Sequence, residues 1–201
     1  MSSIACNVVL LPEDDLSAKT IEASKKLEPY GTLFTIETGK FFPHLSVYML
    51  QLKVEDVPKA KELLAGIAAK TGRLYLTATG YHQSHNYFDV EYHKTEQLSR
   101  LQDLTVTALN PIRDGMREND KPRMTEATGL ALENFKKYGW NTVGDLYRPH
   151  LTLTRFSKEQ SNPQDYLGAA SEFNGEFPIL GLFESGENGT AIHHIASFNL
   201  I

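Results

Sequence analysis

Residues 43–47, Pro43-His44-Leu45-Ser46-Val47, are echoed by residues 149–153, Pro149-His150-Leu151-Thr152-Leu153, and each pentapeptide opens a run of apolar residues. Read as two strand starts, they decide the fold. Strand residues two apart share a face and rise together by about 6.6 Å, so each histidine points the same way as its hydroxyl partner. Two such strands laid side by side bring two imidazoles and two hydroxyls to one place.

The flanking segments say what carries these strands. Residues 4–11 read as a strand stopped at Pro12, followed by a helix over 14–28 that opens on acids and ends at Pro29-Tyr30-Gly31. Residues 45–53 continue the first motif as a strand, and an apolar stripe predicts a helix over 55–70. Alternation over 73–80 and 86–93 predicts a hairpin, and 95–109 a helix. Segment 110–124 is dense in charge and turn formers, which predicts a mobile loop or an excursion between two halves, with a further helix over 125–138. The second motif leads a strand over 150–156, a short helix is expected over 163–170, and strands over 177–184 and 191–199 close the chain as a hairpin. Strand-helix units interleaved with hairpins predict an α+β fold with mainly antiparallel sheets.

Composition narrows the function classes. Hydrophobic residues make up 41% and charged residues 22%, ordinary for a globular chain, and 201 residues suffice for a sizeable core. A net charge of −5 speaks against a broad duplex-DNA footprint but leaves room for a small anion or a strand end. The lone Cys6 offers no disulfide, and neither a basic leader nor a long apolar window is present, so a soluble cytoplasmic protein without membrane association is expected.

The chemistry expected of the paired motifs follows from imidazole, whose ordinary pKa near 6.5 allows one ring to act as base while another acts as acid at neutral pH. His44 and His150 are the candidate catalytic pair. Ser46 and Thr152 are expected to donate hydrogen bonds to the non-bridging oxygens of a phosphodiester. Tyr48 shares by parity the face of His44 and Ser46 and is a candidate to stack on a base or ribose. Arg155, three positions after Thr152, faces away on a regular strand and reaches a phosphate only if the strand twists or bulges.

Other residues read more plainly. His82, His85 and His93 lack the cysteines or carboxylates that would complete a zinc site, so His82 and His85 are expected in a solvated turn and no metal is assigned. Adjacent His193 and His194 place at most one ring toward a cleft. Arg113, Arg117, Lys121 and Arg123 make the 110–124 stretch locally basic, with Tyr147 and Arg148 as rim candidates.

The motifs resemble those of the 2H phosphoesterase superfamily. Pro149-His150-Leu151-Thr152-Leu153-Thr154-Arg155 is similar to the second motif of the branch containing bacterial 2′-5′ RNA ligases and cyclic phosphodiesterases, and Phe42-Pro43-His44-Leu45-Ser46-Val47 fits the first. The tail, Gly181-Leu182-Phe183-Glu184 with Ser197-Phe198-Asn199-Leu200, resembles the family's closing hairpin. The resemblance implies one bilobed domain over 1–201 with pseudo-two-fold symmetry, one motif strand from each lobe. It also implies hydrolysis or transfer at 2′,3′-cyclic phosphates or 2′-5′ linkages without metal or other cofactor, with Arg155 in a substrate role. The expected partner is a nucleotide or RNA-end substrate, met by a monomer. The alternative reading is a non-catalytic module that binds a phosphorylated nucleotide or RNA end.

Overall fold

The computed structural model describes residues 2–201. Its strands are β1 (Ser3–Leu11), β2 (Leu45–Lys53), β3 (Leu74–Leu76), β4 (Ala78–Ser84), β5 (Tyr87–Tyr92), β6 (His150–Arg155), β7 (Gly175–Phe177), β8 (Ile179–Ser185) and β9 (Ala191–Asn199). Its α-helices are α1 (Asp14–Leu27), α2 (Val57–Ala68), α3 (Glu96–Leu109), α4 (Lys121–Glu126) and α5 (Gly129–Tyr138). The α+β class holds, with one seven-stranded antiparallel sheet, ordered β4-β5-β6-β2-β1-β8-β9, and a separate β3-β7 pair.

Local chemistry sets the boundaries. Two residues with positive φ, His85 and Asn86, turn β4 into β5, the twist that a two-residue hairpin loop needs. Thr95 caps α3 by accepting from the Leu98 amide. Gly139 ends α5 in the left-handed conformation.

The two motif strands are neighbours at the centre of the sheet, yet they pair at a single position, Leu45 opposite Leu151. To one side lie β6, β5 and β4, to the other β2, β1, β8 and β9. The first side is backed by α1, which packs on β6, and the second by α2 and α3. Helix α1 thus follows a strand of one half and covers the other, tying the halves together.

Each motif strand carries a bulge directly after its hydroxyl residue. On β2 the register passes from Val9↔Ser46 to Val8↔Tyr48, which leaves Val47 unpaired. On β6 it passes from Asp89↔Thr152 to Phe88↔Thr154, which leaves Leu153 unpaired. The carbonyls thrown out of the ladder are satisfied from the helices behind. Gln102 of α3 donates to Val47 O at 3.2 Å, and Ser24 of α1 donates to Leu153 O at 2.7 Å.

A bulge shifts the side-chain alternation by one residue, and this overturns the expectation for Tyr48. Its side chain lies on the helix side, 0% exposed, with its hydroxyl donating to Tyr138 O at 2.7 Å. Tyr48 therefore belongs to the core and is not placed to stack on a ligand. Tyr48→Phe should lower the unfolding free energy by about 1–2 kcal/mol, because the Tyr138 carbonyl loses its donor in a buried place. The check is a urea melt in which the midpoint falls while the slope is unchanged.

Segment 110–124 is not a free loop. Two short 3-10 turns and α4 order it, and Arg113 bridges to Leu52 beside β2. Arg117, 5% exposed, meets Asp120, 1% exposed, at 2.7 Å. Arg123 reaches the same carboxylate at 3.0 Å and Lys121 pairs with Glu118. Arg117, Lys121 and Arg123 thus engage acids three positions away in their own segment, while Arg113 donates to Asn110 Oδ1 at 3.0 Å. The helix expected over 125–138 is broken in two around Ala127 and Thr128.

Candidate active site

With Leu45 opposite Leu151, the antiparallel register sets His44 across from Thr152 and Ser46 across from His150. The four motif side chains fall on one face, while Leu45 and Leu151, both fully buried, fall on the other. A pseudo-two-fold axis through the leucine pair relates the two motifs.

The histidines are held alike. His44 Nδ1 lies 2.8 Å from Phe42 O, and His150 Nδ1 lies 2.7 Å from Arg148 O, in each case the carbonyl two residues upstream. A carbonyl only accepts, so Nδ1 carries the proton in each ring and Nε2 is left for chemistry. Burial pulls the pKa of His44 below its usual 6.5, and the nearby His150 pulls it the same way. The carbonyls of Phe42 and Gly189 oppose this without reversing it. A neutral His44 is suited to take a proton.

A narrow cleft lies against His44 and Thr152. Its walls are Phe34, Ile36, Phe41 and Phe42, from the irregular stretch between α1 and β2, and Asn188, Gly189 and Thr190, from the β8–β9 connection. His150 and Ser46 adjoin it in the sheet without lining it. Asn188 and Gly189 both have positive φ, and a Cβ on Gly189 would come within 3.3 Å of Met49 Cε. That close approach lets the connection fold over the first motif.

Arg155 is brought to the site by the bulge at Leu153, which turns it back to the face of His150 and Thr152. Its Nη1 donates to Asn188 Oδ1 at 2.8 Å, and its guanidinium stands 4.8 Å from the Tyr87 ring centre. Its Nε is buried without a partner. The bulge that a site-facing Arg155 requires is present at Leu153.

Neighbouring strands supply residues that motif reading missed. Asn7 of β1 donates to Ser46 Oγ at 2.8 Å and lies 3.3 Å from His44 Nε2. Asp89 of β5 accepts from Thr152 at 2.7 Å and from Arg148 at 3.0 Å. Asn7 is the one amide within an otherwise apolar run, which a buried position obliges to find a partner, whereas Asp89 shares β5 with Glu91 and carries no such mark.

The rim candidates behave differently. Tyr147 is buried and donates to Ser46 O, while Arg148 is spent on Asp89 and Glu91. His82 lies within β4 and not in the turn, which begins at His85. His193 and His194 are exposed on the edge strand β9, with His194 edge-on to Phe183. Among the described residues no group of three His, Cys, Asp or Glu side chains is placed to hold a metal ion, and no helix is long and apolar enough to cross a membrane.

No family model matches the chain, and no curated protein matches it in sequence. Solved structures match it along its whole length. The apo form of E. coli LigT aligns over 100% of this chain and 99% of its own, with a TM-score of 0.60 at 12% identity. TT0787 of Thermus thermophilus aligns over 98% of both chains, with a TM-score of 0.62 at 17% identity. A protein named as a phosphoesterase aligns over 99% of both, with a TM-score of 0.55 at 16% identity. LigT has also been solved with phosphate and with 3′-AMP. The likeness is one of fold.

Proposed function

We propose that this protein is a 2H phosphoesterase that hydrolyses a 2′,3′-cyclic phosphate or a 2′-5′ phosphodiester in a nucleotide or RNA end. The observation that carries the reading is the matched anchoring of His44 and His150, whose Nδ1 protons go to backbone carbonyls, so that proton exchange falls to Nε2 in each ring, that of His44 lying 3.3 Å from Asn7 Nδ2. In the hydrolytic direction neutral His44 takes the proton of the attacking water, and protonated His150 gives one to the departing oxygen. Arg155 adds a permanent positive charge at the cleft's edge, suited to a phosphate. The complexes of LigT with phosphate and with 3′-AMP support a nucleotide ligand for this fold.

The test is turnover of a panel of 2′,3′-cyclic nucleotides and short 2′-5′ and 3′-5′ oligonucleotides, run in EDTA. Turnover that survives chelation supports the reading. Tight binding of the panel without any turnover would make the chain a binding module instead.

The lowered pKa of His44 fixes a sign. Activity that needs this ring neutral should fall on the acid side with an inflection below pH 6.5. Stability should move the same way. Below 6.5 the unfolded chain protonates this histidine before the folded chain does, so more protons are bound on unfolding and the unfolding free energy drops as pH falls through that window. The NMR titration of the His44 ring checks both, and an inflection above 6.5 would contradict them.

A further inference from the structure

Asn7, in the middle of β1 and 0% exposed, sends its side chain to His44 and Ser46. His44 Nδ1 gives its proton to Phe42 O, so Nε2 of the neutral ring only accepts, and the amide atom facing it at 3.3 Å is the nitrogen. The second proton of that nitrogen goes to Ser46 Oγ at 2.8 Å. Asn7 Oδ1 is left buried without a partner. Buried amide oxygens are nearly always bonded, and an exception requires a reason.

That oxygen gains a partner when His44 takes a proton. A protonated Nε2 can only donate, and the Asn7 N–H aimed at it then repels it. Turned over about its Cβ–Cγ bond, the amide presents Oδ1 instead. Nε2–H donates to it, and so does the Ser46 hydroxyl, which can donate as well as accept. Two hydrogen bonds form in either position, with Oδ1 idle before the turn and Nδ2 idle after it, so the exchange costs little. His150 has the same anchor at Nδ1, but no side chain among the described residues hydrogen-bonds its Nε2.

We infer that Asn7 is a positioning residue with two settings: its amide nitrogen holds His44 ready as the base, and its amide oxygen receives Nε2–H once the ring has taken the proton of the attacking water. The inference rests on the phosphoester reading above and adds the group that marks out His44, and not His150, as the base. At 3.3 Å the resting contact is long and yields its place to a water. The proton passes from that water to Nε2 and goes to solvent after the product leaves, and no covalent bond of Asn7 changes.

Few other groups bear on this ring. Burial lowers its pKa, the Phe42 carbonyl raises it, His150 of β6 lowers it and the Gly189 carbonyl raises it. No Asp, Glu, Lys or Arg lines the cleft, and Arg155 stands at its edge on Asn188.

The experiment is an NMR titration of the imidazole nitrogens in the full ligand-free chain, joined to pH–rate profiles on whichever panel member wild type turns over. In wild type at neutral pH His44 should be the Nδ1–H tautomer, with Nε2 accepting. Asn7→Asp offers Nε2 only an acceptor and a negative charge, so the His44 inflection should rise by about one pH unit or more, and the acid limb of kcat/KM with it. Asn7→Leu offers neither donor nor acceptor and should lower kcat about tenfold or more, because a buried Nε2–H then finds no partner. Asn7→Asp keeps the acceptor and should lose less than Asn7→Leu at pH values above its own inflection.

An Nε2–H tautomer for neutral His44 in wild type would overturn the inference, and this reading needs no variant to fold. A His44 inflection that moves less than about 0.3 pH unit in Asn7→Asp would overturn it too, as would a wild-type kcat in Asn7→Leu. Absence of turnover in wild type, with the ring titrations as expected, would bring down the phosphoester reading while the Asn7–His44 contact stood.

Discussion

Alanine in place of His44 or of His150 is expected to lower kcat by about 10²–10⁴-fold, the usual worth of one positioned proton transfer. The substrate is whichever member of the cyclic-nucleotide and 2′-5′ panel wild type turns over. Both rings sit at strand starts, half-buried and anchored mainly through Nδ1, so neither change empties the core and both variants should melt near wild type. The two losses should not multiply. Base and acid serve one event, and once either is gone the other has little left to assist, so the double variant should resemble the worse single one. A variant that keeps its melting temperature and loses less than about threefold in kcat would remove that histidine from the mechanism.

The largest effect on stability should come from Asp120→Ala. Its carboxylate receives Arg117 Nε at 2.8 Å and Nη2 at 2.7 Å on one oxygen, and Arg123 Nη1 at 3.0 Å on the other. Removing it strands the Arg117 guanidinium in a place where water does not reach, with only the Ser185 hydroxyl left, 3.0 Å away. Breaking a buried pair from one side typically costs about 3–5 kcal/mol. For a chain of this size that is a fall in melting temperature of roughly 10 °C. A double change of Arg117 and Asp120 to apolar residues of similar volume should recover much of the loss, because no unpaired charge then remains inside. Calorimetric melts of the three proteins decide it, and an unchanged melting temperature for Asp120→Ala would show that Arg117 finds water.

What can be read from the sequence is local and periodic. The Pro-His-Leu-Ser/Thr pentapeptides announce strand starts, and the alternation within them puts His44 with Ser46 and His150 with Thr152. That parity holds over two residues and then fails, because the bulges at Val47 and Leu153 follow at once. Neither bulge is marked by glycine or proline. Both depend on side chains far along the chain, Gln102 and Ser24, taking up the displaced carbonyls. Parity therefore puts Tyr48 on the wrong face, and the same device brings Arg155 to the right one. Asn7 and Asp89 become visible as site residues only once the pairing of β1 and β5 with the motif strands is known, and pairing is a long-range property. The stretch at 110–124 shows the reverse. Its opposite charges three apart, Arg117 with Asp120, Glu118 with Lys121, and Asp120 with Arg123, are present in the sequence as helical-turn spacing, but their density reads as solvated loop.

The single paired position between β2 and β6 has a mechanical meaning. Elsewhere in the sheet, rows of hydrogen bonds fix the distance between strands, but across this seam the backbone is joined only at Leu45 and Leu151. Side-chain packing, the Arg155–Asn188 contact and helix α1 do the rest. Dispersion forces yield more readily than a ladder to small changes of spacing, so the seam is the sheet's crease. His44 stands on one side of it and His150 on the other. In the proposed reaction, then, the separation of base and acid is an elastic coordinate of the fold, set at the crease and not by a ladder.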